Sequence, residues 1–228
     1  EGFPAPGWAH VPIVQNLRET YPVRICLQNG ANTAVLGEYY YLPRMYQNIL
    51  YCISGVGLRC GVLTRGRLLG NQIGNASAYG HIIVNIGGRP CYCGKEGCLI
   101  SYISLPVLLK EAVSRMKQGK PSVISDWTNG DADKATINHL LRAAQEGDPL
   151  IRDIMLESAY YYGIGISNMI HILHPEHVIL GGPLIYNAPY YYEEVVRQAL
   201  KHLYPTEKTN VRFGQGVLKE DGAAIGAA

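Results

Sequence analysis

Residues 80–98 read GHIIVNIGGRPCYCGKEGC, and this stretch constrains the molecule more than any other. It sets His81, Cys91, Cys93 and Cys98 in the pattern H-x9-C-x-C-x4-C. Zinc takes nitrogen and sulfur ligands tetrahedrally, and three thiolates with one imidazole supply a full set. Gly87, Gly88, Gly94 and Gly97 allow the tight turns that fold neighbouring thiolates around one ion. Four protein ligands leave no open coordination position, so the expected role of Zn2+ is structural, and its loss should disorder the loop. Three of the six cysteines crowd into eight residues, which favours a metal site over a disulfide framework and points to a reducing, cytoplasmic setting. The other three, Cys26, Cys52 and Cys60, lie in apolar, strand-like surroundings and read as small core residues.

Working outward, HIIVNIG (81–87) reads as a strand opening onto the cysteines. Upstream, residues 49–71 alternate apolar runs with glycine-bearing turns and predict a strand, a glycine turn and a hairpin. Before them, residues 8–21 read as a loop running into a short helix, PVRICLQ (22–28) as a buried strand ended by Asn29-Gly30, and 31–41 as a helix. Downstream, helical spacing predicts helices over 105–119, 134–147 and 149–174. VILGGPLI (178–185) reads as a strand carrying a glycine pair. A helix near 190–203, a short strand near 210–213 and a glycine-rich helix from Asp221 follow. Strands alternating with long helices mean a layered α/β architecture. The tyrosine runs 39–41, 160–162 and 190–192 fall in predicted helices, each expected to bury one ring and leave the others at a surface or an oligomer contact.

With 228 residues, 47% hydrophobic and 17% charged, the chain is neither a disulfide miniprotein nor disordered. Twenty Lys+Arg against 18 Asp+Glu leave a net charge of +2, so no basic face announces a nucleic-acid partner, and DNA binding would need a segment absent here. No apolar run reaches the ~18 residues of a membrane span, and EGFPAPGWAHVP lacks the features of a signal peptide. The opening Glu1-Gly2-Phe3 and the closing GAAIGAA (222–228) both look cut, and a fragment is expected.

SGVGLRCG (54–61) is compatible with a phosphate-binding turn or with an ordinary glycine hairpin. Taken with LRETYPVRICLQNGANTAVLGE (17–38), the cysteine stretch, SNMIHILHPEHVILGGPL (167–184) and LKEDGAAIGAA (218–228), it resembles the ROK family of repressors, open reading frames and sugar kinases. That resemblance implies the actin-like, ribonuclease H-like sugar-kinase fold, with 1–30 ending a first lobe and 31–228 forming the second around a zinc loop at 81–98. It also implies that a first phosphate-binding motif and, in repressors, a winged helix-turn-helix are not in this chain. Asn29 and His81 are then the candidate ligand contacts, although Asn29 could equally be a turn residue bonded to its own backbone. Gly55, Gly57, Gly61, Gly181 and Gly182 correspond to the phosphate loops.

The same resemblance exposes departures. The kinases end the strand before residue 30 in Asn-Asp, whose carboxylate accepts the sugar proton; here Gly30 stands there. Ala78 and Ile100 replace two sugar-holding glutamates, and Arg59 intrudes on the glycine turn. The expected function is therefore the effector-sensing domain of a ROK-type transcriptional regulator, with no catalytic residues and no ATP requirement, taking a sugar-like effector less hydroxylated than glucose or differently substituted. The alternatives are an ATP-dependent hexose kinase and a ligand-free pseudokinase scaffold. A homodimer or tetramer is expected. The sensing reading requires that no other Asp or Glu stands beside Asn29.

Overall fold

The computed structural model describes residues 11–42, 46–69 and 78–228. The expectations for residues 1–10 and for the close of the 49–71 stretch, residues 70–71, lie outside the described residues. The core is built on five strands: β1 (Ile49–Ser54), β2 (Leu58–Thr64), β3 (Arg67–Leu68), β4 (His177–Gly181) and β5 (Arg212–Gly214), in the order β3-β2-β1-β4-β5. β1 and β2 form an antiparallel hairpin with Cys52 opposite Cys60, whereas β1–β4 and β4–β5 are parallel. The mixed sheet follows from the connections: a three-residue turn allows antiparallel pairing, but β1 and β4 are joined by a long helical crossover.

Side chains alternate across β1, so each face of the sheet has its own core. Leu50, Cys52, Cys60, Val178 and Leu180 belong to the larger one, with residues of α3 (Ile100–Ile103), α4 (Leu105–Lys117), α6 (Ile137–Glu146), α7 (Pro149–Leu173), α8 (Pro183–Asn187) and α9 (Pro189–Lys201). Ile49, Tyr51, Leu63 and Ile179 face the other way, onto α2 (Gly30–Tyr41), against which α11 (Gly222–Ile225) packs. Among the described residues the remaining α-helices are α1 (Ile13–Thr20), α5 (Ile124–Trp127) and α10 (Pro205–Asn210). The long α7 starts where Pro149 follows an Asp148 cap that accepts the Ile151 N–H at 2.9 Å, and it ends where His174 turns left-handed at φ 44°. Among the described residues no helix is long and apolar enough to cross a membrane.

Several sequence expectations are corrected. Residues 22–28 form no strand: no described strand offers them a ladder, and Val23, Cys26 and Leu27 are exposed, so Cys26 is not a core residue. Residues 81–87 also form no strand. A 3-10 turn over Ala78–His81 leads into a loop whose Val84 and Asn85 N–H groups donate to the Gly97 carbonyl, pairing the metal stretch with itself instead of the sheet. The strand expected over 178–185 stops at Gly181, because Pro183 begins α8. Helices α3, α5 and α10 carry no foreseen periodicity, being too short to show one. Tyr162 and Tyr191 are the buried rings of their runs, whereas Tyr40 and Tyr41 are exposed and Tyr39 half-buried.

Candidate functional site

The parallel strands β1 and β4 end side by side, the place where α/β sheets bind ligands. At the end of β1 the Gly55 N–H donates to the Gly57 carbonyl at 2.8 Å and closes the hairpin turn. At the end of β4, Gly182 has φ +116°, and a Cβ there would lie 1.9 Å from the Ser54 carbonyl oxygen. Only glycine lets the start of α8 close onto the end of β1. The structure thus brings Gly55, Gly57, Gly181 and Gly182 to one edge. Gly61 is elsewhere: it sits within β2 opposite Tyr51, and a Cβ would meet the Ala31 carbonyl oxygen at 2.1 Å. The close approach of α2 to the sheet, rather than a turn, accounts for that glycine. Arg59 likewise lies in β2, opposite Ile53, so its side chain falls on the α2 face.

The ligand atoms of His81, Cys91, Cys93 and Cys98 lie within 4.8 Å of one another and could hold a metal ion. Cys93 Sγ and Cys98 Sγ are 3.7 Å apart, and Cys91 Sγ is 3.6 Å from His81 Nδ1. Bond lengths around tetrahedral zinc imply edges of about 3.8 Å between thiolates and about 3.6 Å between thiolate and imidazole. The donor set therefore fits that ion in chemistry and in size. Burial, and then hydrogen bonds with Cys93 and Cys91, push the Cys98 thiol up to about 12, while backbone hydrogen bonding at Lys95 pulls the exposed Cys93 down. Metal loading must displace the Cys98 proton. Protein contacts also anchor the loop: Tyr102 Oη accepts from the Arg89 N–H at 2.7 Å and from Asn85 Nδ2 at 3.0 Å, and the Arg89 guanidinium reaches Glu157 at 2.9 Å. Ile100 is buried against Cys91 and Cys98.

His81 presents Nδ1 to the cysteines, and its other nitrogen, Nε2, shares a hydrogen bond with the Tyr92 hydroxyl at 3.2 Å. Tyr92 escaped the sequence reading because an aromatic between two cysteines carries no spacing signal. The nitrogen expected to meet a sugar hydroxyl is held by the protein's own phenol.

Asn29 caps α2, its side chain accepting the Ala31 N–H at 3.0 Å, as in the turn-residue alternative. Gly30 opens into a cavity of about 190 Å³ lined by Ala31, Ala34, Tyr51, Ile53, Arg59, Lys219, Glu220 and Ala223. A Cβ at position 30 would find only the Ala223 Cβ within 4 Å, at 3.8 Å, so a larger side chain has room there. Glu220 is the carboxylate whose presence the sensing reading must answer. It is exposed, and none of its atoms lies within 4 Å of that Cβ position. Glu38, missed in the sequence although it is the one charge in GANTAVLGEYYY, is fully buried and accepts the N–H groups of Val217 and Leu218 at 2.8 and 2.9 Å. It pins the segment that carries Lys219 and Glu220 to the cavity.

The profile described as "ROK family" matches residues 2–228. The chain is 27% identical over 220 residues to a xylose repressor of Caldicellulosiruptor bescii, covering 96% of this chain and 55% of that protein. It is 29% identical over 227 residues to a glucokinase of Thermotoga maritima, covering 98% of this chain and 70% of that protein. The chain thus spans just over half of the repressor's length. Among solved structures, a ROK family glucokinase from Streptomyces griseus in complex with glucose and AMPPNP superposes with a TM-score of 0.82 at 24% identity, covering 97% of this chain and 72% of that one. The architecture is the actin-like ATPase fold of the ROK sugar kinases. With an AMPPNP-bound neighbour of this fold, the expectation that the chain dispenses with ATP gains no support.

Proposed function

The chain belongs to the ROK family, and from that premise we propose that it is the effector-sensing portion of a ROK-type transcriptional regulator, without sugar-kinase activity. Repressor and glucokinase relatives are about equally similar, so the choice rests on the site. The observation that carries it is Gly30: at the start of α2, where kinases of this kind place the general base, there is no side chain, although the cavity has space for one. General-base assistance is worth about 10²–10⁴ in rate. A sensor needs only differential binding between two conformations, which the remaining cleft can supply. Residues 1–30 are then the close of a first lobe and 31–228 the second. His81, Cys91, Cys93 and Cys98 hold a structural zinc that keeps the loop beside the cleft in shape.

The test has two arms on the full-length protein. ATP with a panel of hexoses should give no turnover, and the protein should bind operator DNA in a manner relieved by a sugar-like effector. Turnover at the ~1–100 s⁻¹ usual for kinases would sink the reading. Glu220 favours a second reading, a kinase with a displaced base. If turnover is found and Glu220→Gln abolishes it, that reading replaces the first.

A further inference from the structure

Three half-buried arginines occur among the described residues: Arg59, Arg89 and Arg115. Arg89 and Arg115 are paired with Glu111 and Glu157. Arg59 has no hydrogen bond or ion pair among the described residues; its charge acts on the Tyr92 hydroxyl, and it lines the partly open cavity that begins at Gly30. Withdrawing a guanidinium from water without a partner costs free energy, which an incoming anion would offset. The other charged groups lining the cavity are Lys219 and Glu220, so two cations stand against one carboxylate. Of the three positions where the family resemblance leads one to expect acids, Gly30 alone lines this cavity, and Ala78 and Ile100 lie outside it. The cavity thus has no acceptor at position 30 and carries a guanidinium, whose planar fork of donors matches carboxylate and phosphate oxygens.

We propose that the cavity between α2, β2 and α11 receives an anionic group carried on a sugar, a carboxylate or a phosphate, with the Arg59 guanidinium as its direct partner. The proposal deepens the sensing reading and rests on it for its biological meaning, but not for its chemistry. Arg59 reads the charge, Lys219 adds to the local field, and the glycine at position 30 leaves Glu220 as the one carboxylate in the lining.

Calorimetric titration of the full-length protein with glucose, gluconate, glucose 6-phosphate and inorganic phosphate tests it. At least one sugar anion should bind tenfold or more tightly than glucose, with gluconate and glucose 6-phosphate separating the carboxylate from the phosphate source. Arg59→Gln should weaken that anion at least tenfold and change glucose less than twofold. Gly30→Asp, which places a competing carboxylate in the cavity, should weaken the same anion and serves as an independent variant should the arginine replacement fail to fold. Four results would overturn the proposal: binding of neither anion, glucose binding as tightly as both, undiminished anion binding in the Arg59 and Gly30 variants, or inorganic phosphate matching glucose 6-phosphate. The two readings fail separately. Arg59-dependent anion binding together with ATP turnover removes the sensor and keeps the site, whereas operator release by neutral glucose keeps the sensor and removes the site.

Discussion

The metal loop and the cavity at the start of α2 sit at opposite extremes of internal satisfaction. In the loop the donors converge: four ligand atoms gather within 4.8 Å, and the backbone and Arg89 are tied to Tyr102 and Glu157. In the cavity, Gly30 contributes no side chain, Arg59 has no hydrogen bond or ion pair among the described residues, and Lys219 and Glu220 reach in from an exposed segment. A region whose groups satisfy one another is serving the fold, whereas one that leaves charges unpaired is built to be completed from outside.

The largest effect should come from breaking the satisfied side. Cys98→Ser, or stripping metal with a chelator, should disorder residues 81–98, seen as a lower melting temperature and faster proteolysis in the loop, with a loss drawn from the roughly 10–16 kcal/mol with which structural zinc binds. An unchanged melting curve would put the loop's order in its protein contacts alone. Glu38→Ala should come next. It orphans the Val217 and Leu218 N–H groups at about 1–3 kcal/mol each, and hydrogen exchange should rise selectively over 216–225. If exchange there stays slow, the cavity wall does not depend on Glu38.

Tyr92→Phe sharpens the comparison within the loop. Removing the hydroxyl on His81 Nε2 should lower zinc affinity about tenfold, the low end for a ligand's outer partner, measured by chelator competition with little change in metal-loaded stability. The smallest effect concerns His177, buried and stacked on Tyr46, whose charged form burial disfavours below the ordinary value of 6.5. On acidification the unfolded chain protonates first, so this contribution is intact above about pH 6.5 and is lost as pH falls through the lower folded value. Urea unfolding from pH 8 to 5 should show that decline, and His177→Phe should flatten it.

Where groups are close in the chain, the sequence was legible. The hairpin around Gly55–Gly57, the helix α7 and the four candidate metal ligands all follow from spacings of a few residues. It misled where a segment's partner decides its conformation: PVRICLQ has a strand's composition but no described strand beside it, and HIIVNIG spends its hydrogen bonds on its own loop. Glu38 showed only as a lone charge in an apolar helix, and Tyr92 not at all.

The sequence alone singled out the four residues that could hold a metal, the alternation of strands and helices, and the absence of a carboxylate at position 30, because each is a matter of residue identity at short range. Only the tertiary structure decided that Gly30, Arg59 and Glu220 line one cavity, that Gly61 serves packing, and that Tyr92 holds His81. The first two depend on bringing distant segments together across the sheet. The third depends on which way a loop side chain turns, and composition encodes neither.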